Sequence, residues 1–327
     1  MAKKQKTETK MDMNLGELMT RFGSSDKCRA YLEALRWPEG PACPECGPGK
    51  VTAIANRNKY DCGVCHFHFS VTTGTVLHDT HLPLWKWFAA AYLMIEAKKG
   101  VSANQLKRTL AVSYKTAWYL CHRIRKAMEE VCPEPLSGTV EVDETWIGGK
   151  RRHVGSGYVG NKTMVMGAVQ RDGAIRLRIE QSRDGKTMKG FVNDVCVGET
   201  ERIYTDEHSG YVGLADADTI HESVNHSAEE WVRGDVHTNS VEGVWSLFKR
   251  AIVGSYHQVS TKHLDRYLRE FEFRFNNRRN EFLFRDTITK LIESPTLTYA
   301  ELTGNVGETS EPTVTDVTPV EQPWEPF

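Results

Sequence analysis

Three acidic residues, each of which alone could be a surface acid, together match a recurring constellation of carboxylates. Asp143 lies in an alternating stretch (GTVEVDETWIGG), Asp206 ends a strand-like stretch (IYTDEHSGY), and Glu242 falls in the first turns of a predicted helix. Thirty-five residues separate Asp206 from Glu242, and Lys249 follows Glu242 by seven positions, two helical turns later on the same face. Carboxylates are the hard oxygen ligands that Mg²⁺ prefers, so the three acids predict a divalent-cation site.

Neighbouring residues leave two alternatives open. Glu141 and Glu144 flank Asp143, and Glu141 shares its strand face, so it could assist or substitute. Asn239 lies one helical turn before Glu242 and could be the third ligand instead, although it is also a good helix N-cap. The spacing and the affinity of a carboxylate for Mg²⁺ favour Glu242.

Four of the eight cysteines form two Cys-x-x-Cys pairs, Cys43 with Cys46 and Cys62 with Cys65. Fifteen residues separate the pairs, which is a spacing typical of four-cysteine zinc sites. Four thiolates close a tetrahedral Zn²⁺ site with no open position, so this zinc is predicted to be structural. A redox pair or an iron site is the alternative.

The stretch SANQLKRTLAVSYKTAWYLCHRIRKAM predicts two helices capped by Ser102 and Ser113 and joined by a short turn. In a helix-turn-helix, the start of the second helix enters the major groove of DNA, which here presents Tyr114, Lys115 and Thr116. Arg123 is predicted to bind phosphate further along that helix. A generic helical hairpin is the alternative.

Strand-like runs followed by helical runs predict an α/β domain with a mixed sheet over residues 137–295. The predicted strands are 139–147, 163–169, 175–179 and 202–206, and the predicted helices are 186–195, 239–252, 261–276 and 287–292. Before this domain we expect a helical segment over 1–40, the zinc ribbon over 41–80 and the helix-turn-helix region over 81–132. Residues 304–327 predict an acidic, disordered tail.

Charge is distributed unevenly along a chain whose formal net charge is only −1. Residues 50–130 hold twelve Lys or Arg against five Asp or Glu, whereas residues 291–327 hold seven acids and no Lys or Arg. A basic front segment suits binding to phosphate backbones, although a solvated charged face would look the same. With no apolar stretch long enough for a membrane span and no apolar leader, the chain is expected to be cytoplasmic and nucleoid-associated in a prokaryotic cell.

Taken together, these motifs resemble an insertion-sequence transposase of the DDE class, in the ISXO-like branch with an N-terminal zinc ribbon. The resemblance runs from Arg36 to Arg278, and its most specific stretches are VEVDETWIGGK, YTDEHSGY and HTNSVEGVWSLFKR. It implies a ribonuclease-H-like catalytic core, with Asp143 on the first strand, Asp206 on the fourth and Glu242 on a following helix.

The resemblance also implies a reaction and its partners. Two Mg²⁺ or Mn²⁺ ions held by the three acids would promote DNA cleavage and strand transfer, with terminal inverted repeats and target DNA as substrates. Lys249 is expected to contact the DNA end, and the basic loop residues Lys150, Arg151 and Arg152 to grip a strand near the site. Because two ends must be joined, at least a homodimer on DNA is expected. The alternatives are a catalytically inactive DNA-binding regulator and a nuclease of the same fold.

Overall fold

The computed structural model describes residues 13–55, 57–148, 162–196, 200–215 and 219–304. Two short helices come first, α1 (Leu15–Phe22) and α2 (Ser25–Arg36). The side chains of Asn14 and Ser24 accept backbone N–H groups in the first turns of α1 and α2, which satisfies donors that a helix start leaves unpaired.

A small antiparallel sheet follows, with strands β1 (Val51–Ile54), β2 (Lys59–Cys62) and β3 (His68–Phe69) in that order. Its interior consists of Cys43, Cys62 and Phe69, against which the rings of Trp37 and Tyr60 pack. So few apolar residues cannot stabilise a fold by burial alone, which is consistent with the predicted zinc ribbon.

The two helices of the predicted helix-turn-helix are present. After α3 (Leu84–Glu96), helices α4 (Ala103–Leu110) and α5 (Tyr114–Ala127) are capped by Ser102 and Ser113, as expected. The left-handed backbone of Ala111 ends α4 and turns the chain into α5.

A mixed five-stranded sheet forms the centre of the next part of the chain. Its strands are β4 (Gly138–Ile147), β5 (Thr163–Gln170), β6 (Ile175–Glu180), β7 (Thr200–Thr205) and β8 (Ile220–Ser223). The order is β6-β5-β4-β7-β8. Strand β5 is antiparallel to both β6 and β4, and β7 is parallel to both β4 and β8. The first and fourth strands are therefore adjacent and parallel, as expected for a ribonuclease-H-like core.

Helices cover both faces of this sheet. Helix α6 (Gly185–Val195) packs on one face, and helices α7 (Asn239–Ala251) and α8 (Thr261–Asn276) pack on the other. A π-helical turn, Ile252–Tyr256, directly follows α7. The sequence predicted the strands and helices of this region to within a few residues, except for β8 and the π-helical turn.

Helix α9 (Leu283–Glu293) differs from the predicted domain organisation. Its residues Phe284, Ile288 and Leu291 belong to the apolar core that α1 to α5 form, not to either face of the five-stranded sheet. The ring of Phe284 lies 5.8 Å from that of Phe22 and 6.0 Å from that of Phe88, centroid to centroid. The last helix predicted for the sheet domain therefore packs in the core of the N-terminal helices instead.

The chain divides after residue 296 into two compact units, and all the elements above belong to the first. In the second, helix α10 (Tyr299–Thr303) carries a reciprocal capping box between Thr298 and Glu301. Within the described residues, every helix is too short or too polar to cross a membrane. The basic loop residues Lys150, Arg151 and Arg152, and the predicted tail after Gly304, lie outside the described residues.

Candidate active site

Asp143 lies on β4, and Asp206 directly follows β7, the parallel strand beside it. The parallel register pairs Glu141 of β4 with Tyr204 of β7, and each aspartate stands two residues beyond that pair. Asp206 is the residue directly after β7, so both aspartates lie just beyond the end of the parallel pairing between β4 and β7. The backbone N–H of His208 donates to Oδ1 of Asp206 at 3.0 Å and fixes that carboxylate.

Glu144 brings a third carboxylate to the same place. One oxygen each from Asp143, Glu144 and Asp206 all lie within 4.8 Å of one another. The Tyr211 hydroxyl donates to Oε2 of Glu144 at 2.8 Å, and the Arg183 guanidinium pairs with Oε1. The same guanidinium lies 3.9 Å from Oδ2 of Asp206, so Arg183 offsets part of the negative charge.

The clustering of these acids is electrostatically unfavourable. Burial, followed by the charges of Glu144 and Asp206, raises the pKa of Asp143 to about 7. Hydrogen bonds from the Glu144 backbone and the Trp245 indole act in the opposite direction. A bound cation would relieve this repulsion, because it favours the ionised form of every carboxylate around it.

The carboxylates therefore fit a divalent cation, by donor type and by separation. Hard oxygen atoms within 4.8 Å of one another can share an ion that binds oxygen at about 2.0–2.1 Å. Asp143 and Asp206 would hold such an ion from the end of the parallel strand pair. Glu144 would reach it only by sharing its oxygens with Tyr211 and Arg183.

Glu242 lies on the helix beside this cluster. The Trp245 indole Nε1 donates to Oδ2 of Asp143 at 2.9 Å, which places α7 against the aspartate. Glu242 precedes Trp245 by three residues and so occupies the adjoining part of the same helix face. Its exposed carboxylate accepts a hydrogen bond of 3.1 Å from the Thr238 hydroxyl. Among the described residues, the structure groups Glu144 and not Glu242 with the two aspartates.

The other two predicted residues of α7 are exposed. Lys249 follows Trp245 by four residues, in the last turn of the helix, and shares the face that contacts Asp143. Asn239 is the first residue of α7, and Thr238 occupies the N-cap position. The expectation that Asn239 caps the helix is therefore wrong.

Glu141 is not available as a ligand. Its side chain is 0% exposed, and it accepts hydrogen bonds from Arg171 and from the first turn of α7. Strand alternation had predicted that Glu141 shares a face of β4 with Asp143. Its carboxylate binds the start of a helix, however, and does not face the cluster.

The four cysteines come together as predicted. Their sulfur atoms all lie within 4.8 Å of one another, and Sγ of Cys43 is 3.7 Å from Sγ of Cys65. Tetrahedral zinc with Zn–S bonds of about 2.3 Å would separate its sulfurs by about 3.8 Å. The donor set and its size therefore fit a closed, structural zinc ion.

The start of helix α5 presents the three residues predicted to read DNA. Tyr114, Lys115 and Thr116 are all exposed there, and Thr116 is fixed by its backbone bond to the Ser113 hydroxyl at 3.0 Å. Within the described residues, these three side chains therefore remain accessible to a binding partner.

Arg123 must be reassigned. It is only 6% exposed, donates to the backbone oxygen of His78 at 2.5 Å, and stacks on the rings of Trp87 and Tyr119. A guanidinium enclosed in this way cannot bind a DNA phosphate, so the predicted contact is wrong. The burial of Arg123 could not be predicted from its residue type, because arginine side chains are mostly exposed.

Three residues of the site escaped the sequence analysis: Trp245, Tyr211 and Arg183. Trp245 and Tyr211 stand inside the motifs that carry Glu242 and Asp206, and their positions could have indicated proximity. Arg183 lies in the loop before α6, where no pattern in the sequence connects it with the acids.

Two family models match the chain. One, described as the ISXO2-like transposase domain, matches residues 135–276, and the other, described as the transposase zinc-ribbon domain, matches residues 23–68. A relative from Halobacterium salinarum, named "Uncharacterized protein in transposable element ISH50", is 30% identical over 275 residues. That match covers 77% of this chain and 91% of the relative.

Two solved structures show weak similarity. A chain of the simian T-cell lymphotropic virus intasome in complex with PP2A regulatory subunit B56 gamma has a TM-score of 0.26 and 11% identity, covering 67% of this chain and 75% of that one. A chain of the pre-cleavage Mos1 transpososome has a TM-score of 0.25 and 14% identity, covering 68% and 80%.

The two family models account for the zinc ribbon and for the sheet with its paired aspartates. The ISH50 protein is matched over nearly its whole length. The chain therefore belongs to the family of ISXO2-like transposases.

Proposed function

We propose that this protein binds the terminal inverted repeats of its element and catalyses DNA strand cleavage and strand transfer. The observation that carries the proposal is the placement of Asp143 and Asp206. Their carboxylates lie within 4.8 Å of each other at the end of two adjacent parallel strands, in a chain of the transposase family. Such a pair can hold divalent cations against a phosphodiester.

Asp143 and Asp206 would be the shared ligands of two Mg²⁺ or Mn²⁺ ions. When bound, these ions activate the attacking oxygen and stabilise the leaving oxygen. Glu242 is proposed as the third ligand, because it is exposed and lies on the helix face that contacts Asp143. Glu144 would instead orient Arg183 and Tyr211 at the edge of the site.

The other residues of α7 would position DNA. Lys249 is exposed on the face of Trp245 and would bind a phosphate of the transposon end, while Asn239 would hydrogen-bond near the first turn. Water attack at the transposon end and attack of the released 3′-OH on target DNA are both in-line displacements. One site that aligns the reacting oxygens can therefore serve both steps.

Recognition of the ends would belong to the front of the chain. The exposed residues Tyr114, Lys115 and Thr116 begin the second helix of the helix-turn-helix, the part that enters a major groove. Lys150, Arg151 and Arg152 precede β5 in the chain and would hold a strand near Asp143. Joining two ends in one event requires two active sites, so the protein is proposed to act as at least a dimer on DNA.

The proposal is tested with labelled duplexes carrying the inverted repeats that flank the coding sequence, incubated with Mg²⁺ or Mn²⁺. Asp143→Asn, Asp206→Asn and Glu242→Gln should each lower cleavage by more than about 100-fold, because even groups that only orient a metal ligand contribute 10- to 100-fold. Asn239→Ala and Glu144→Gln should retain more activity. All variants should bind the duplex as the wild type does, measured by fluorescence anisotropy.

The outcome also decides between the alternatives. Cleavage without joining to a target plasmid would indicate a nuclease of the same fold. Tight binding to the ends with no cleavage by the wild type in either metal would indicate an inactive DNA-binding protein. Full activity of Glu242→Gln with loss in Glu144→Gln would make Glu144 the third ligand.

A further inference from the structure

Glu141 is a fully enclosed carboxylate with five partners. It accepts hydrogen bonds from the backbone N–H of Ser240 at 2.7 Å, from the Ser240 hydroxyl at 2.9 Å and from the backbone N–H of Val241 at 3.2 Å. Arg171 donates to it at 2.8 Å, and a ring nitrogen of His237 lies 3.2 Å away. Because the first N–H groups of a helix lack internal partners and carry partial positive charge, this carboxylate binds the start of α7 strongly.

Helix α7 is attached to β4 at two places whose spacing matches. On the strand, Glu141 and Asp143 are two residues and about 6.8 Å apart. On the helix, Ser240, which binds Glu141, and Trp245, which binds Asp143, are five residues and about 7.5 Å apart along the axis. The helix therefore runs along the strand, and Glu242 lies between the two attachments.

We infer that Glu141 is a positioning residue that holds Glu242 beside the aspartate pair. Its side chain is 0% exposed and both of its carboxylate oxygens accept hydrogen bonds from protein donors, so we do not assign it as a ligand of a cation or of DNA. It acts through the first turn of α7, whose displacement would move Glu242 while leaving Asp143 and Asp206 in place. This inference rests on the proposed role of Glu242 as the third metal ligand.

Glutamine at position 141 keeps the shape of the side chain and disturbs these contacts. Its amide nitrogen is a donor and would face other donors in either orientation: the backbone N–H groups of Ser240 and Val241 at the Oε2 position, or Arg171 at the Oε1 position. The negative charge that the helix start and Arg171 require is also lost. A matched control is Glu270→Gln, because Glu270 is likewise 0% exposed and paired with an arginine, Arg125. Its contacts are with Arg125, Arg274 and Tyr256, which all lie outside the first turn of α7.

The experiment measures Mn²⁺ binding by isothermal titration calorimetry on the full chain, with the ribbon cysteines already loaded with Zn²⁺. Glu141→Gln should weaken Mn²⁺ binding by roughly tenfold, as expected for a group that orients a ligand. Glu270→Gln should leave it unchanged although it lowers the thermal midpoint. In the Glu242→Gln background, adding Glu141→Gln should cause no further loss, because both changes remove the same ligand.

Cleavage gives a second readout. At saturating DNA, Glu141→Gln should lower the rate by roughly 100-fold, the effect of a displacement of about 1 Å at an active site, and should raise the Mg²⁺ concentration for half-maximal rate. DNA affinity should not change. If Glu141→Gln does not fold, Ser240→Ala, which removes a single contact to Glu141, should shift the Mg²⁺ dependence in the same direction.

The results separate the inference from the proposed function. If Glu242→Gln leaves Mn²⁺ binding intact, the proposed third ligand is wrong. If Glu242→Gln weakens binding and Glu141→Gln does not, or if the two losses add fully, Glu141 does not act through Glu242 and the inference is overturned.

Discussion

The indole of Trp245 donates a hydrogen bond of 2.9 Å to the carboxylate of Asp143. This contact crosses from helix α7 to strand β4 and ties the helix of Glu242 and Lys249 to the first aspartate. It depends on a third residue. Gly167, which pairs with Asp143 in the sheet, lies directly beneath the ring.

Gly167→Ala should move Trp245 away from Asp143. A Cβ at position 167 would come within 2.5 Å of Cζ2 of Trp245 and 3.1 Å of Cδ2 of Leu177, so the ring must shift. We expect a loss of about 1–3 kcal/mol in the free energy of unfolding, as for other overpacked cores, and reduced cleavage. Urea denaturation and the end-cleavage assay measure the two effects.

Gly243→Ala is the control, because it lies in α7 itself with nothing within 4 Å of the added carbon. It should stabilise the protein by about 0.5–1 kcal/mol, since alanine favours the helix interior over glycine. Equal destabilisation by the two substitutions would contradict the proposed packing of Trp245.

The purified protein should contain one tightly bound Zn²⁺ per chain at the four cysteines. Removing a ligand by Cys46→Ser, or removing the metal with a chelator, should unfold the ribbon, because its core is only a few residues and the ion supplies much of its folding energy. Elemental analysis and protease cleavage between residues 43 and 69 would show this. Cys132→Ser, at an exposed cysteine outside the site, should keep its zinc and its resistance.

His122 should make the protein less stable in acid. It is 0% exposed, and its ring nitrogens have no hydrogen-bond partner among the residues that the structure describes. Burial, followed by the charges of Arg125, His263 and Arg266, lowers its pKa to about 2. The folded protein therefore stays unprotonated at this ring while the unfolded chain takes up a proton below its ordinary pKa of 6.5. The contribution of the unprotonated ring to the free energy of unfolding is therefore fully present above pH 6.5. It decreases below pH 6.5 by at most about 1.4 kcal/mol per pH unit.

The test measures the free energy of unfolding of wild type and His122→Phe at several pH values between about 7 and about 4, a range that includes the ordinary histidine pKa. The difference between the two proteins should shrink or reverse as the pH falls, because phenylalanine cannot bind a proton. His81→Gln, at an exposed histidine, should follow the wild type. Parallel curves for wild type and His122→Phe would refute the assignment.

Glu270→Gln should be strongly destabilising. Glu270 pairs with Arg125 at 2.6 Å where both side chains are almost completely buried, and it also accepts from the Tyr256 hydroxyl at 2.8 Å. Removing its charge leaves a buried arginine without its counterion, which costs about 3–5 kcal/mol. The exposed pair of Arg21 and Glu17 is the comparison, and Glu17→Gln should change the urea midpoint by an amount equivalent to about 0.5 kcal/mol or less.

Much of the site followed from local pattern. Alternation around Asp143 and the strand ending at Asp206 predicted two strands whose acids meet, and the structure aligns them in register. The spacing of the cysteines predicted the sulfur cluster. In both cases the relevant residues belong to a local pattern, either strand alternation or a Cys-x-x-Cys spacing, and such patterns can be recognised in the sequence alone.

The rest depended on contacts between distant segments. Alternation places Glu144 on the face opposite Asp143, and only the length of its side chain brings an oxygen to the cluster. Arg123 was predicted to bind phosphate, but helix α5 is enclosed on more than one side. Arg123 stacks on Trp87 of α3, and Arg125 pairs with Glu270 of α8. Strand β8, with the polar sequence IHES, has no apolar alternation and forms by pairing with β7.

Helix α9 limits which protein segments related transposases can exchange by recombination. Its apolar face completes the helical core that carries the helix-turn-helix, although in the chain it follows the sheet. A recombination that replaced only the segment before β4 would set a foreign core against Phe284, Ile288 and Leu291. A new DNA specificity acquired by such a swap would have to bring a compatible last helix, or arise by substitution at the surface of α5 alone.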